Sequence, residues 1–193
     1  MARIPYAEPS DLPADKRHLL DTLDDDASAD AERRHSLPAG TLNVYRAIGR
    51  TPPLLEAFRT YAGRAWNECG LAPHDREIVI LATARATDSA YEWQQHVRVA
   101  LDAGMDPDQL VAVARSESDQ LGPARAALVA YVDAFVDGAV TDATHDRLAA
   151  HYDEETIVGV GLLAGCYLGL ARVLQALDVD LEAPFVGWGL ENR

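Results

Sequence analysis

The sequence predicts an all-α fold. Apolar residues recur at helical spacing along most of the chain, and no window alternates between apolar and polar residues as a half-buried strand would. Prolines at helix starts and glycines at helix ends divide the chain into successive segments of helical length. With 193 residues, 48% of them apolar, the chain is long enough to form one domain with a real core.

The first 40 residues are predicted to form an arm outside the helical domain. They are rich in Pro, Asp and Ala and carry an acidic run at positions 24–26. One short helix is expected around residues 15–23. Two interpretations of the arm remain open, a solvated tail or an arm that embraces a neighbouring subunit. The predicted boundaries are therefore an arm over 1–40, one helical domain over 41–182 and a C-terminal tail over 183–193.

The domain is predicted to begin with a short helix over residues 42–48 and a longer one that ends near Gly70. Pro52 and Pro53 stand where the first turn of a helix accepts proline, and apolar residues follow at helical spacing. Pro73 opens the next helix in the same way. Its residues 77–86 are almost entirely apolar, which is typical of a helix buried on most sides.

A break and a second helix follow directly. Thr87 and Asp88 interrupt the apolar helix, Ser89 and Glu92 have the spacing of a capping box, and Gly104 marks the end. The predicted apolar stripe of this second helix consists of Trp93, Val97, Ala100 and Leu101. The predicted polar side consists of Gln94, Gln95, Arg98 and Asp102.

Four further helices are predicted. Asp106, Pro107 and Gln109 have the pattern of a capped start, and the short helix that they open is expected to end near residue 115. After a loop over 116–122, helices are expected from Pro123 to residue 138 and from Thr141 to residue 151. The last helix, over 154–177, is strongly apolar and must be covered by other helices or by another subunit. Its start faintly echoes the helix at 77–86, which would suggest a degenerate two-fold repeat.

Composition excludes several classes of function. A formal charge of −14 argues against nucleic acid as a partner, because neutralising phosphates requires clustered Lys and Arg. No basic start followed by an apolar run indicates a signal peptide, and no stretch of about 18 uninterrupted apolar residues indicates a membrane span. Cys69 and Cys166 form no metal-ligand or CxxC pattern, which fits the reducing cytoplasm.

Ser89, Glu92 and His96 form the candidate site, because they fall within roughly 60° of one another on the second helix. His96 has two interpretations, a core histidine with satisfied nitrogens or a proton-transfer group. Glu92 is either a cap or a group beside His96. Glu92 and His96 could hold a metal together, but no third ligand is evident, so no metal is predicted.

Other candidates lie around this face. Glu77 is either a first-turn carboxylate that favours the helix dipole or a buried acid or base. Arg85 could clamp a substrate carboxylate or simply neutralise Glu77 or Asp88. Tyr91 and Trp93 could line a pocket, although a core position is the simpler interpretation of the tryptophan.

Residues 71–104 resemble proteins of the carboxymuconolactone decarboxylase family, in the alkyl hydroperoxidase D-like superfamily. The resemblance rests on Arg76 and Glu77 before an apolar helix, on the string SAYEWQQH over residues 89–96 and on the turn GMDP at 104–107. It extends more loosely over residues 42–180. It implies an all-helical bundle that assembles into trimers or hexamers.

The resemblance also implies roles for individual residues. In the redox-active branch, a glutamate, a CxxC pair and a histidine form a proton relay with a dithiol. Glu77 and His96 match the glutamate and the histidine, whereas Ser89 and Glu92 occupy the two cysteine positions. Without thiols, dithiol peroxidase chemistry is excluded at this site, and the pattern instead resembles the decarboxylase branch.

The expected function is a cofactor-independent decarboxylation or isomerisation of a small carboxylated cyclic or lactone substrate. His96 would transfer the proton, Glu77 would tune or reprotonate it, Glu92 would orient it, and Arg85 would clamp a carboxylate. One alternative is a non-catalytic oligomeric binding or scaffold protein of the same fold. Another is residual peroxide chemistry through Cys69 or Cys166.

Overall fold

The computed structural model describes residues 1–21, 41–182 and 189–190. Within these ranges the chain forms α-helices and short 3₁₀ helices and no strand, which confirms the all-α prediction. The α-helices are α1 (Asn43–Ile48), α2 (Pro52–Asn67), α3 (Pro73–Ala86), α4 (Ala90–Asp102), α5 (Pro107–Ala114), α6 (Pro123–Val136), α7 (Asp142–Ala149) and α8 (Glu154–Leu177). The 3₁₀ helices are Pro9–Asp11, Ala14–Leu20 and Ser118–Leu121.

Helix α3 is the centre of the bundle. It packs against α4, α5, α6 and α8, and residues 78–82 are all fully buried. This is the helix predicted to be buried on most sides, and the prediction is confirmed. Its position means that a polar side chain in the middle of α3, over residues 77–84, is surrounded by the neighbouring helices.

Helix α8 is the longest helix in the described residues and packs against α2, α3 and α6. The Asp153 side chain accepts a hydrogen bond from the Thr156 amide and so caps its start. By length and composition alone, α8 is the one helix of the described chain that could cross a membrane. Its inward face carries fully buried side chains such as Val160 and Leu163, which belong to the same core as α3.

Close approach of backbones requires a glycine at only one of the four positions in α8. A Cβ on Gly159 would lie 2.3 Å from the Cys69 carbonyl oxygen, a contact that no side chain tolerates. At Gly169, by contrast, a Cβ would meet nothing within 4 Å. Gly159 therefore sets the distance between α8 and the turn that follows α2.

Residues 1–21 fold back onto their own chain. The predicted short helix of the arm is present as the 3₁₀ helix Ala14–Leu20, and Leu20 joins Leu55 of α2 in a small second core. The Arg3 amide donates to the Leu177 carbonyl, and the Tyr6 hydroxyl donates to Asp180. The two interpretations of the arm, a solvated tail and an embrace of a neighbour, do not describe these residues, because apolar side chains give the arm an attachment site on its own domain. The rest of the arm, residues 22–40, lies outside the described residues.

Most of the helix starts and ends that the sequence predicts from local signals are present in the structure. The capping box of Asp106 and Gln109 is formed, Thr141 accepts a hydrogen bond from the Thr144 amide, and Gly104 has a positive φ of 86°. The loop predicted over 116–122 contains one 3₁₀ turn. These signals depend on neighbouring residues only, which is why the sequence reveals them.

The polar side of α4 is not solvated as predicted. Gln94 and Arg98 are buried, and only Asp102 is exposed. The cause is the chain after α8, which returns across α4: the Gln94 amide donates to the Glu182 carbonyl, and the Gln95 amide donates to the Glu182 carboxylate. A wheel drawn for an isolated helix does not account for this cover.

Candidate functional site

Glu77 and His96 form a buried hydrogen-bonded pair between α3 and α4. Glu77 is fully buried, and its Oε2 lies 2.9 Å from His96 Nδ1. Because a carboxylate only accepts, Nδ1 is the nitrogen that carries the hydrogen, and Nε2 is left for another partner. Arg76 Nε donates to the second carboxylate oxygen, Oε1, at 3.2 Å.

The break between α3 and α4 makes this pairing possible. The Thr87 hydroxyl donates to the Thr83 carbonyl, Asp88 adopts a positive φ of 55°, and the Ser89 amide donates to the Ala84 carbonyl. The chain thereby reverses within three residues. Residues on the first turns of α3 and on the second turn of α4 then lie side by side.

Aromatic rings enclose the imidazole of His96. The Tyr167 ring meets it edge to face with centroids 4.9 Å apart, and the Trp66 ring is tilted against it at 5.5 Å. The Arg76 guanidinium lies over Trp66 at 3.8 Å. The His96 side chain keeps 11% of its surface exposed, so an otherwise enclosed ring retains a small opening to solvent.

The Tyr167 hydroxyl is affected by burial and by the nearby Glu77 carboxylate. Burial raises the pKa of its hydroxyl well above the ordinary value, and the negative charge of Glu77 raises it further. The side chain therefore stays a neutral phenol beside His96.

Glu92 is buried without the capping role that its spacing predicted. It is 2% exposed, the N-cap Ser89 makes no side-chain capping hydrogen bond, and the capping-box prediction is wrong. Among the described residues neither Glu92 carboxyl oxygen nor the Ser89 hydroxyl has a hydrogen-bond partner. Desolvation raises the pKa of Glu92 to about 8, against the opposing influence of the Ser89 hydroxyl and the Arg172 charge.

The two cysteines are buried and unpaired. Burial, together with a smaller contribution from the nearby Glu92, raises the pKa of Cys166 to about 11. Cys69 directs its sulfur to the Trp66 carbonyl at 3.7 Å. Cys166 is therefore a protonated thiol at neutral pH, which disfavours nucleophilic chemistry.

Arg85 lies in a different place. It pairs with Asp133 of α6 and donates to the Ser116 hydroxyl at 2.8 Å. It lines a cleft of about 670 Å³ together with Ala86, Asp88, Ala114, Arg115, Ser116, Glu117, Asp133 and Asp137. His96 is not among the lining residues of this cleft, so Arg85 and the imidazole do not share it.

The two aromatic candidates of α4 are both buried, in two different clusters. The Tyr91 hydroxyl donates to Glu182 Oε1 at 2.6 Å and accepts from the Val44 amide at 3.0 Å, within a small cluster that includes Leu174. Trp93 is 1% exposed and belongs to the main core. Thus the structure brings together Glu77, His96, Glu92 and Ser89, and places Arg85, Tyr91 and Trp93 elsewhere.

Sequence reasoning missed Trp66 and Tyr167, and it named Cys166 only as a candidate for peroxide chemistry, not as a neighbour of Glu92. Tyr167 carried a usable signal, since a tyrosine among small and apolar residues in the last helix is conspicuous. Trp66 and Cys166 carried none, because their contact with α4 depends on how α2 and α8 pack. In the described parts of the chain, no three His, Cys, Asp or Glu side chains converge as a metal site would require.

Comparison with known proteins finds one matching family model. Residues 52–134, which include Glu77, Glu92 and His96, match the profile of the "Carboxymuconolactone decarboxylase family". No curated protein matches the chain by sequence.

Solved structures show the same fold at low identity. An uncharacterised peroxidase-related protein with an alkylhydroperoxidase AhpD core, from Ralstonia eutropha JMP134, is 19% identical with a TM-score of 0.76, over 94% of this chain and 93% of that one. A putative antioxidant defence protein AhpD from Agrobacterium tumefaciens is 18% identical with a TM-score of 0.66, over 71% and 96% of the two chains. The debrominase Bmp8 in its apo form is 19% identical with a TM-score of 0.64, over 79% and 81%.

Proposed function

Because residues 52–134 match the model of the carboxymuconolactone decarboxylase family, we propose that the chain is a proton-transfer enzyme that needs no cofactor. Its substrate is a small carboxylated cyclic or lactone-like molecule, and the reaction is decarboxylation or isomerisation. The observation that carries the proposal is the Glu77–His96 hydrogen bond of 2.9 Å inside an aromatic enclosure. One structural neighbour is a debrominase, which supports catalysis on this fold without indicating the reaction here.

The Glu77–His96 pair suits proton transfer to carbon. Glu77 fixes the orientation of the ring through Nδ1 and stabilises the imidazolium, so Nε2 is the atom that exchanges a proton with substrate. In decarboxylation the bond between the ring carbon and the carboxylate breaks, CO₂ leaves, and the electron pair enters the conjugated lactone as a dienolate. His96, starting as the imidazolium, then delivers its Nε2 proton to the remote carbon and is reprotonated from solvent.

Isomerisation uses the same groups in another order. Neutral His96 removes a proton from one carbon and returns it to another, and Glu77 holds the imidazolium in between. No hydrogen bond joins Glu92 to His96 among the described residues, so we assign the orientation of the ring to Glu77. Arg85 remains a candidate clamp only for a substrate carboxylate that can compete with Asp133 for the guanidinium.

We further propose a homo-oligomer, a trimer or a hexamer, located in the cytoplasm. Exposed apolar side chains on the outer face of α8 support an oligomer: Val158 is 62% exposed and Leu162 is 52% exposed. Two buried free cysteines are in keeping with a reducing compartment.

The test is a proton NMR time course with 4-carboxymuconolactone in heavy water. Wild type should release the substrate carboxyl group and place deuterium on the product ring, whereas His96→Ala should do neither. His145→Ala is the matched control, because its imidazole is half exposed on α7. Turnover that persists in His96→Ala contradicts the proposed mechanism. A wild type without turnover rules out this substrate and favours a binding protein or a reaction on another small molecule.

A further inference from the structure

The first turn of α4 contains buried polar side chains to which the proposed mechanism assigns no role. Glu92 and Ser89 are 2% and 1% exposed, and among the described residues none of their side-chain oxygens makes a hydrogen bond of normal geometry. The Ser89 hydroxyl is nevertheless near enough to Glu92 to oppose the rise of its pKa. The first backbone bond of the helix is made by the Trp93 amide to the Ser89 carbonyl, so the amides of residues 90–92 precede the helical ladder. Each unpartnered buried group costs about 1–3 kcal/mol, and such groups in a native fold require an explanation.

We propose that Glu92 binds the substrate as an un-ionised carboxylic acid and donates its O–H to a carbonyl oxygen that gains negative charge while His96 transfers the proton. This inference rests on the proposed function and adds to it a recognition group and a substrate feature. The feature is a carbonyl conjugated to the reacting carbon, as in an enolisable lactone or ketone. Glu92 keeps its proton throughout and contributes a hydrogen bond only.

The surroundings of Glu92 favour the neutral form. Helix α8 faces it with Cys166, Tyr167 and Arg172, and His96 lies one turn further along α4, with Glu77 of α3 behind the imidazole. Of these three residues of α8, only Arg172 is a cation. Its guanidinium is exposed and donates hydrogen bonds to the Thr87 carbonyl and the Gln175 amide oxygen. No counter-ion therefore lies at hydrogen-bond distance from Glu92 among the described residues.

A neutral acid at this position complements the Glu77–His96 pair. The site already holds one carboxylate, Glu77, so a second ionised carboxylate would oppose an enolate intermediate. An O–H donor in a water-poor place strengthens its hydrogen bond as charge develops on the acceptor oxygen. Glu92 and His96 are four residues apart on one helix face, so an oxygen and a carbon of one small molecule can meet both.

The proposal predicts the binding of an enolate mimic without turnover. The probe is 2,4-dinitrophenolate, an anionic oxygen on a conjugated ring, titrated by its absorbance between about pH 6 and pH 10. Wild type should bind it and lose affinity about tenfold per pH unit above about pH 8, because ionised Glu92 repels the phenolate. Glu92→Gln should keep a donor and bind with no such loss, and Glu92→Leu should bind at least tenfold more weakly at neutral pH.

Two further measurements isolate the role of Glu92. Asp102→Asn, which removes an exposed carboxylate from the same helix, should bind as wild type does. An infrared difference spectrum of wild type minus Glu92→Gln at neutral pH should contain the carbonyl band of a protonated carboxyl group. Circular dichroism of each variant confirms that it is folded before its affinity is interpreted.

The outcomes separate this inference from the reaction itself. It is overturned if wild type does not bind the phenolate, if Glu92→Leu binds as well as wild type, or if Glu92→Gln retains the loss of affinity at high pH. Absence of the protonated carboxyl band overturns it as well. Binding with these signatures in a protein that does not turn over 4-carboxymuconolactone would support the Glu92 subsite and count against the proposed substrate.

Discussion

The Glu92 carboxyl group ionises at about pH 8 in the folded chain, compared with an ordinary value of 4.5. Between these two values the unfolded chain has already lost the proton while the folded chain retains it. The folded state therefore binds more protons, and the free energy of unfolding falls as pH rises through this window. Below about 4.5 both states are protonated, and above about 8 both are ionised, so the contribution is constant outside the window.

Replacement of Glu92 by Gln should remove this pH dependence. Relative to wild type, the free energy of unfolding of the variant should rise by about 1.4 kcal/mol per pH unit between roughly pH 4.5 and pH 8 and then level off. Denaturant unfolding at a series of pH values measures the difference. Asp102→Asn is the control, and parallel curves for wild type and Glu92→Gln would show that Glu92 has the same pKa in the folded and the unfolded chain.

The cysteines should be inert in the folded protein. Cys69 is 2% exposed and Cys166 is 7% exposed, and burial raises the pKa of Cys166 to about 11. Native labelling with a maleimide at neutral pH should modify neither thiol, whereas both should react after denaturation. Rapid modification of either thiol in the native state would contradict this prediction and support the alternative of peroxide chemistry through Cys69 or Cys166.

At the residue scale, the sequence predicted some of the contacts in the candidate site and not others. Glu77 and His96 were identified together through the resemblance to the family motif, whereas helix spacing placed only Ser89 and Glu92 beside His96. The environment of Glu92 was not predictable, since a capping box and a buried acid have the same spacing. Only the packing of α8 against α4 decides between them.

At the scale of single helices, Gly159 is the position where α8 tolerates no side chain. Gly159→Ala should destabilise the fold by about 1–3 kcal/mol or more, because its Cβ would meet the Cys69 backbone. Gly169→Ala, in an open part of the same helix, should instead stabilise it by roughly 0.5–1 kcal/mol through helix propensity. Thermal or denaturant unfolding checks both, and equal effects at the two sites would disprove the close approach.

Helix boundaries were predictable where the signals are local. Prolines at the first turns of α2, α3, α5 and α6 all stand where the sequence placed them. The burial of the predicted polar side of α4 was not predictable, because Glu182, which covers it, lies more than 80 residues along the chain from Gln94 and Gln95. The echo between α3 and α8 remains a prediction of a degenerate repeat.

At the scale of the whole molecule, α2 and α8 share an apolar outer face. It consists of Leu54, Tyr61, Val158, Leu162 and Val173, each at least 43% exposed. The Tyr61 hydroxyl donates to the Leu162 carbonyl, so the two helices join on this face. Exposed apolar side chains on two neighbouring helices are typical of a protein interface.

Leu162→Asp should dissociate the proposed oligomer. A charge in the middle of the face would have to be buried without a partner on assembly, and the side chain is not part of the domain core. Light scattering after size exclusion should report a smaller species than for wild type. Val140→Asp, which alters a 40% exposed side chain between α6 and α7, should leave the mass unchanged, and a monomeric wild type would contradict the interface.

The attachment of the arm shows what the sequence could not convey about the whole molecule. Its composition indicated either a solvated tail or an arm that embraces a neighbouring subunit, and the acidic run at 24–26 was part of that evidence. Leu12, Leu19 and Leu20 are nevertheless buried on the domain. Three leucines spaced over nine residues are too few for a periodicity argument, although they are enough to hold a short segment in place.

The hydrogen bonds of Glu182 have a kinetic consequence. Its carboxylate accepts from the Asn43 amide and the Tyr91 hydroxyl, and Tyr91 in turn accepts from the Val44 amide. Release of this one carboxylate would free the start of α1 and the adjoining side of α4 together. The amide protons of Asn43 and Val44 should therefore exchange with solvent deuterium in a single opening event, at a common rate that Glu182→Gln accelerates.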